Sequence, residues 1–367
     1  MGGRSSSGLR KAPPAERPAP VTLTIALDAM GGDHAPQVVI AGADMARERH
    51  PELRFLLFGE RDAIAPLLAG RKGLAERCTV EHTPDRVGPD TKPSQALRQG
   101  RSTSMRLAID AVKDGQAEAA VSAGNTGALM ALSKFVLKTL PGIDRPAIAS
   151  LMPTRRSQTV FLDLGANAEV DAENLVQFAV MGEVYARAVL GVAKPTVGLL
   201  NIGTEEVKGH DTIRSAASAL RASGLPIEFR GFVEGTDLAS GKVDVCVTDG
   251  FTGNVALKVA EGTVGLYTHF LREAFRSSML AKLGYALARG SLGSVRARLD
   301  PRRYNGAMFL GLNGVVVKSH GGTDALGFAN AIDVAVDLVQ RGTNQRITAE
   351  LHRLEPESLR DRHARAS

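Results

Sequence analysis

Six turns in this sequence combine small residues with Asn, Asp, Lys or His directly after a short apolar run. The first is LDAMGGDHAP, where Asp28 closes the run, Gly31 and Gly32 allow a tight path with free amides, and Asp33 and His34 stand over the turn. VSAGNTGALM supplies Ser122, Gly124, Asn125, Thr126 and Gly127, and LDLGANAEV supplies Asp163, Gly165, Asn167 and Glu169. LLNIGTEEVKGHD carries Asn201, Gly203, Thr204, Glu205 and Lys208. VTDGFTGNVALK carries Asp249, Gly250, Thr252, Gly253, Asn254 and, one helical turn on, Lys258. GLNGVVVKSHGG ends on Lys318, Ser319, His320, Gly321 and Gly322. Free amides at a helix N-terminus bind phosphate through the dipole and hydrogen bonds, and Asn, Thr and Lys add donors. A capped turn accounts for any one of these segments. A series of them is harder to explain that way, because a Gly-rich turn costs chain entropy. The expectation is a shared site for an anion and a carbonyl. Lys318 and His320 alternate along their run and are expected to point the same way, the other reading of His320 being a buried residue held by the backbone.

Other chemistries lack their residues. No turn ends in the Gly-Lys-Ser/Thr of a nucleotide-hydrolysing loop, and no GxGxxG is followed by an acidic residue at dinucleotide spacing. Neither CxxC nor a spaced Asp/Glu set marks a metal site, and Cys78 and Cys246 read as core thiols in apolar runs. No cofactor and no metal are expected.

The turns need a frame to hold them. TLTIALD, ELRFLLFG, EAAVSAG, TVGLLN, DVCVTDG and GVVVKS read as strands. Helical periodicity fills 37–50, 94–113, 126–140, 172–190, 212–223 and 324–341. Strands separated by helices of this length predict a mostly parallel sheet in a three-layer α/β/α unit, with ligands at the strand carboxyl ends. The Gly, Ser, Pro and Arg of residues 1–20 predict a disordered extension, and 346–367 a basic tail, leaving 21–345 as the α/β unit.

The segment 266–300 breaks the pattern. Phe270, Phe275, Met279, Leu280, Leu283, Tyr285 and Leu287 alternate there with basic residues, predicting two amphipathic helices joined near Gly284 to Gly290. Arg272, Arg276, Lys282, Arg289, Arg296, Arg298, Arg302 and Arg303 face only Glu273 and Asp300, a local excess equal to the net charge of +6. Packing on the core or on a second subunit is one reading of this hairpin, and contact with an anionic lipid surface is the other. Aromatic residues are 4% of the chain and Trp is absent, which argues against stacking of single-stranded bases and hence against nucleic acid. No apolar stretch reaches the roughly 18 residues that span a bilayer, so the expected location is the cytoplasm.

DAMGGDHAP, SAGNTGALM, GIDRPA, LDLGAN, LLNIGTEEVKG, DGFTGN and KSHGG, in this order from about Val21 to Arg341, resemble the PlsX phosphate acyltransferases. The resemblance implies a Rossmann-like layered fold akin to isocitrate and isopropylmalate dehydrogenases and phosphotransacetylases, usually as a homodimer. It also implies transfer of a long-chain acyl group from acyl carrier protein to inorganic phosphate. The acyl phosphate product would feed a membrane glycerol-3-phosphate acyltransferase at the start of phospholipid synthesis. The extension at 1–20 and the tail after Arg341 depart from the family's core.

Under that implication phosphate, already an anionic nucleophile, needs mainly to be held in line with the thioester carbonyl. Asn125 or Asn254 with backbone amides would meet the oxyanion, Lys208, Lys258 or Lys318 the phosphate charge, and His34 with Asp33 the proton at the departing thiolate. The basic hairpin would take the acidic carrier or the lipid face. Competing readings are a coenzyme A-dependent phosphate acyltransferase, a metal- and NAD-dependent hydroxy-dicarboxylate dehydrogenase, and a membrane-associated scaffold without catalysis. Replacing His34 by Ala is expected to cut turnover while leaving the melting temperature unchanged; near-normal turnover removes His34 from the chemistry.

Overall fold

Alternating side chains on β-branched runs must bury both faces of a strand between helices. In the computed structural model, which describes residues 22–225 and 227–354, Ile25 and Leu27 of the first strand enter one core while Ala26 enters the other. The predicted extension at 1–20 lies outside the described residues, as does 355–367 of the tail predicted at 346–367; the first part of that tail is instead helix (Thr343–Leu354), because Ile347 is buried in the core and Arg187 pairs with Glu350.

Eleven described strands form one sheet: β1 (Thr24–Asp28), β2 (Arg54–Gly59), β3 (Cys78–His82), β4 (Ala119–Ser122), β5 (Ala147–Pro153), β6 (Gln158–Leu162), β7 (Thr196–Leu200), β8 (Glu228–Val233), β9 (Val245–Val247), β10 (Ala307–Leu310) and β11 (Val315–Lys318). Their order across the sheet is β3-β2-β1-β4-β11-β10-β5-β6-β9-β7-β8. β1 to β4 and β11 are mutually parallel, as are β6 to β9. Antiparallel pairings of β10 with β11 and β5, and of β5 with β6, separate these blocks, so the blocks run in opposite directions. The predicted mostly parallel three-layer α/β/α class is the one observed. The reversal is not visible in the strand runs read from sequence, because β5, β6 and β10 were not among them.

The helices are α1 (Gln37–Arg49), α2 (Arg61–Ala69), α3 (Lys72–Ala75), α4 (Pro93–Gln99), α5 (Ser104–Lys113), α6 (Thr126–Leu137), α7 (Ala172–Leu190), α8 (Asp211–Ala222), α9 (Gly235–Ser240), α10 (Gly250–Arg276), α11 (Met279–Leu299), α12 (Ala325–Gln340) and α13 (Thr343–Leu354). α1, α7, α8, α12 and α13 cover one face, and α4, α5, α6, α9 and the start of α10 cover the other. The single helix predicted over 94–113 is two. Gly100 ends α4 where any Cβ would lie 2.4 Å from the Ala96 carbonyl, and Thr103 caps α5 by accepting from the Arg106 amide.

The hairpin join also differs from expectation. α10 and α11 meet at Ser277–Ser278, where the Ser278 hydroxyl accepts from the Ala281 amide at 3.1 Å. Gly284 and Gly290 lie inside α11, so a hydroxyl cap outranks glycine as the break. Of the basic residues assigned to the hairpin surface, Arg302 is instead held by Asp300 and Asp324, while the side chain of Arg296 lies outside the described residues. No described helix is long and apolar enough to cross a membrane.

α1 and α12, which follow two of the Gly-rich turns, are joined by Asp333 of α12. It meets Arg49 and the His50 ring, the latter at 3.0 Å. The Asp333 hydrogen bond raises the His50 pKa above its ordinary 6.5 against the opposing effect of burial. A raised folded value means the stabilisation is fully present below about pH 6.5 and disappears as pH climbs through the folded pKa. His50→Gln is therefore expected to lower urea-unfolding stability by roughly 0.5 kcal/mol at pH 6, with the deficit shrinking by pH 9; an equal deficit at both would assign the effect to packing.

Candidate functional site

Asp28 ends β1 fully buried, accepting from Ser104 and Ser122 hydroxyls at 2.6 Å each. Ser122 also accepts from the Gly124 amide at 3.0 Å, and the Asp33 amide donates to the Gly321 carbonyl at 3.0 Å. These bonds gather the turns after β1, β4 and β11. The space between them is too small for side chains: a Cβ at Gly31 would lie 2.4 Å from Asp28, and one at Gly32 2.9 Å from Ala123. Lys318, partly buried at the end of β11, donates to the carbonyls of Ser319 and Ala123. Burial pushes its amine down to about 8, Asp28 and Asp33 pull it back up, and Lys258 pushes it further down. Burial likewise raises the Asp28 pKa against its two serine donors.

Asp163 does for the opposite block what Asp28 does for the first. Buried after β6, it accepts from the amides of Ile148, Gly165, Ala166 and Asn167 and from the Asn167 side chain, at 2.8 to 3.2 Å. Burial still raises its pKa despite these donors. Asn167 passes the constraint on, accepting the Gly250 amide on its carbonyl at 2.7 Å. Gly253 is obligatory, since a Cβ there would sit 1.8 Å from the Asp163 carbonyl. Asn254, exposed on α10, faces Gly165, where an added Cβ would meet it at 3.6 Å.

At the carboxyl ends of β6, β9 and β7 lies a cavity of 430 Å³ lined by Glu169, His210, Thr248, Asp249, Phe251 and Thr252 among others. Here β7 leads into α8 on one face and β9 into α10 on the other, the switch of helix side that opens a crevice in α/β sheets. Asp249 caps α10 by accepting from the Thr252 amide at 2.8 Å.

The turns thus fall into two groups, at the ends of oppositely directed blocks, rather than along one edge. α10 starts at the end of β9 and carries Lys258, whose charge acts on Lys318 from a distance. Several expected roles change with the hydrogen bonds. Asn125 caps the Ala128 amide and donates to the Pro89 and Thr91 carbonyls, so it fixes a loop instead of offering a free oxyanion donor. Asn201 accepts from the Ile202 amide and donates to the Lys208 carbonyl, which folds the turn holding Gly203. His320 is exposed, neither buried nor in the strand alternation with Lys318, because β11 ends at Lys318. Thr204, Lys208, Thr126, Gly127, Asp33 and His34 are exposed, and Lys258 is paired with Glu261 at 2.9 Å. Sequence reasoning missed Ser104, whose tie to Asp28 spans 76 positions and leaves no local signal. It also passed over His210, although that residue stands in a motif already singled out.

A family described as "Fatty acid synthesis protein" matches residues 23–346. Similar chains include the phosphate acyltransferase of Rhodospirillum centenum, 67% identical over 90% of this chain and 93% of that one. That of Rhodospirillum rubrum is 60% identical over 94% and 99%. Among solved structures, a phosphotransacetylase from Streptococcus pyogenes superposes with TM-score 0.57 at 17% identity, over 87% of this chain and 94% of that one. The EutD phosphotransacetylase from Staphylococcus aureus gives 0.55 at 16%, over 89% and 94%. At those identities the two structures share the fold alone.

The depressed Lys318 amine makes a pH prediction. Inorganic phosphate is expected to raise the melting temperature at pH 7, with the increment fading as pH rises through about 8 and Lys318 loses its proton. In Lys318→Arg, charged throughout, the increment should persist to pH 9. A wild-type increment unchanged across that range would take Lys318 out of anion binding.

Proposed function

The chain belongs to the PlsX family of phosphate acyltransferases, and from that membership we propose that it transfers a long-chain acyl group from acyl carrier protein to inorganic phosphate. A phosphate oxygen forms a bond to the acyl carbon, the carbon–sulfur bond breaks with its electron pair leaving on the pantetheine sulfur, and the products are acyl phosphate and free carrier. The observation that carries the reading is Lys318, a partly buried amine at the carboxyl end of β11 beside the Gly-rich turns of the first block, whose charged form a bound dianion would stabilise. Phosphate held there is oriented rather than chemically activated, which suffices for an anionic nucleophile.

The exposed Asn254 amide, beside the Gly165 turn, is the side-chain donor assigned to the tetrahedral oxyanion, where one well-aimed donor lowers the barrier by about 3 kcal/mol. Lys208 adds charge from the turn after β7, and His34 returns a proton to the thiolate. Asp28 and Asp163 act one step back, by shaping the turns.

The α10–α11 hairpin serves assembly and location in this reading. Its turn exposes Met279 and Leu280, each 79% accessible, between exposed Arg276 and Lys282, with exposed Arg272 and Arg289 further along the two helices and exposed Arg298 at the hairpin base, where its carbonyl accepts from the Tyr304 hydroxyl. Apolar side chains flanked by cations suit an anionic membrane surface. Leu266, Tyr267 and Phe270 on the stem are where a second copy of the chain would pack. Placement at the membrane would hand acyl phosphate to a glycerol-3-phosphate acyltransferase.

The test is release of free carrier from purified palmitoyl carrier with and without inorganic phosphate, while acyl phosphate is trapped as its hydroxamate. Phosphate-dependent release with hydroxamate is expected. Folded protein that releases no carrier at any phosphate concentration would overturn the reading.

A further inference from the structure

The outer surface of α4, α5 and α6 starts at the site and runs away from it. Pro93 at the head of α4 packs on Gly127, where an added Cβ would be 3.1 Å away, and Asn125 ties the preceding loop to the head of α6. Ser104, the first residue of α5, reaches Asp28. Whatever binds this surface is therefore next to the Gly-rich turns of the first block.

Its composition is basic. Lys92, Arg98, Arg101, Lys134 and Lys138 are exposed. Arg98 and Lys134 donate to the backbone carbonyls of Ser94 and Asp144, bonds that leave their charge in place, whereas Arg106 is paired with Asp110. On the same helices stands Phe135, 54% exposed, with the Arg106 guanidinium 5.7 Å and the Lys138 amine 5.0 Å from its ring centre. Two cations over one exposed ring lower the cost of leaving that ring in water. Lys138 holds φ of 63°, a left-handed conformation that side chains avoid, with its carbonyl accepting from the Asn313 amide.

This surface and the hairpin differ in kind. The hairpin turn displays several bulky apolar side chains together, which suits acyl chains of a membrane. The α4–α6 surface displays one aromatic anchor within a field of cations, which suits a folded acidic partner: charge steers the encounter and the anchor holds it. Ten residues of α6 separate Phe135 from Asn125, about 15 Å along the axis, a span for a flexible prosthetic arm rather than a side chain.

We propose that the α4–α6 surface around Phe135, and not the α10–α11 hairpin, docks the acidic carrier that bears the acyl thioester. The proposal rests on the acyl-transfer reading above for the identity of that partner. Docking here leaves the hairpin free for lipid, so that carrier and membrane do not compete for one surface.

The test uses the full chain, with labelled palmitoyl carrier followed by fluorescence anisotropy, and turnover measured on palmitoyl carrier and on carrier-free palmitoyl-pantetheine. Arg98→Glu combined with Arg101→Glu and Lys134→Glu is expected to weaken carrier binding and raise the carrier KM about tenfold, with palmitoyl-pantetheine turnover unchanged. Phe135→Ala, a milder change, should shift the same two carrier readouts in the same direction. Arg272→Glu combined with Arg276→Glu and Lys282→Glu should leave both at the wild-type level. Weakened binding in the hairpin variant with normal binding in the α4–α6 variant overturns the proposal, as does equal loss of turnover with both donors. Wild-type chain that binds the carrier through this surface yet releases nothing with phosphate would instead overturn the acyl-transfer reading and leave the dock standing.

Discussion

A carboxylate removed from water must find donors nearby, and in this chain two such carboxylates set the shape of everything around the site. Asp28 takes two serine hydroxyls, one of them from α5 at a distant point in the sequence. Asp163 takes four amides and a side-chain amide, closing its turn onto itself and, through Asn167, onto the start of α10. Glycines at 31, 250 and 253 follow from these bonds, because the backbone that supplies or receives them passes too close for a Cβ. Lys318, at the end of β11, and Asn254, in the first turns of α10, adjoin the turns fixed in this way.

The second organising feature is the reversal of strand direction at β10 and β5. Two parallel blocks each collect their Gly-rich turns at their own carboxyl ends, and the antiparallel strands between them turn one block against the other. Helix α10 bridges the result. It starts at the second block's turns, packs its first turns against the core, carries Lys258, and continues beyond the core as the stem of the hairpin. One helix thus touches the candidate chemistry at its head and an unpartnered apolar surface at its far end.

Charge is distributed over the molecule in three settings with different physics. Lys318 is partly buried, and burial lowers the pKa of its amine. The hairpin cations are spread along two exposed helices with Arg276 and Lys282 flanking the apolar tip, and on the α4–α6 surface Arg106 and Lys138 stand over a single aromatic ring. Net charge alone does not distinguish these, since each contributes in the same way to the total of +6.

Much of this was legible from residue order. The alternation in TLTIALD and the caps before α6, α7, α10 and α12 are local rules, and the structure follows them: Asn125, Asp171, Asp249 and Asp324 each cap the helix they precede. The family too is written in the turns, because those motifs are contiguous. Other properties depend on contacts between distant positions. The Ser104–Asp28 bond, the Ser122–Asp28 bond, and the consumption of the Asn125 amide by Pro89 and Thr91 join segments far apart in the chain. Strand direction belongs with them, since a run of Val and Ile has the same pattern whichever way its neighbours point. The sequence by itself determined which turns could hold an anion and which helices bury which face, because periodicity and capping act over a few residues. Tertiary structure decided which of those turns share a site, which polar side chains remain free, and what charge each ionisable group carries, because burial and through-space contact exist only once the sheet has formed.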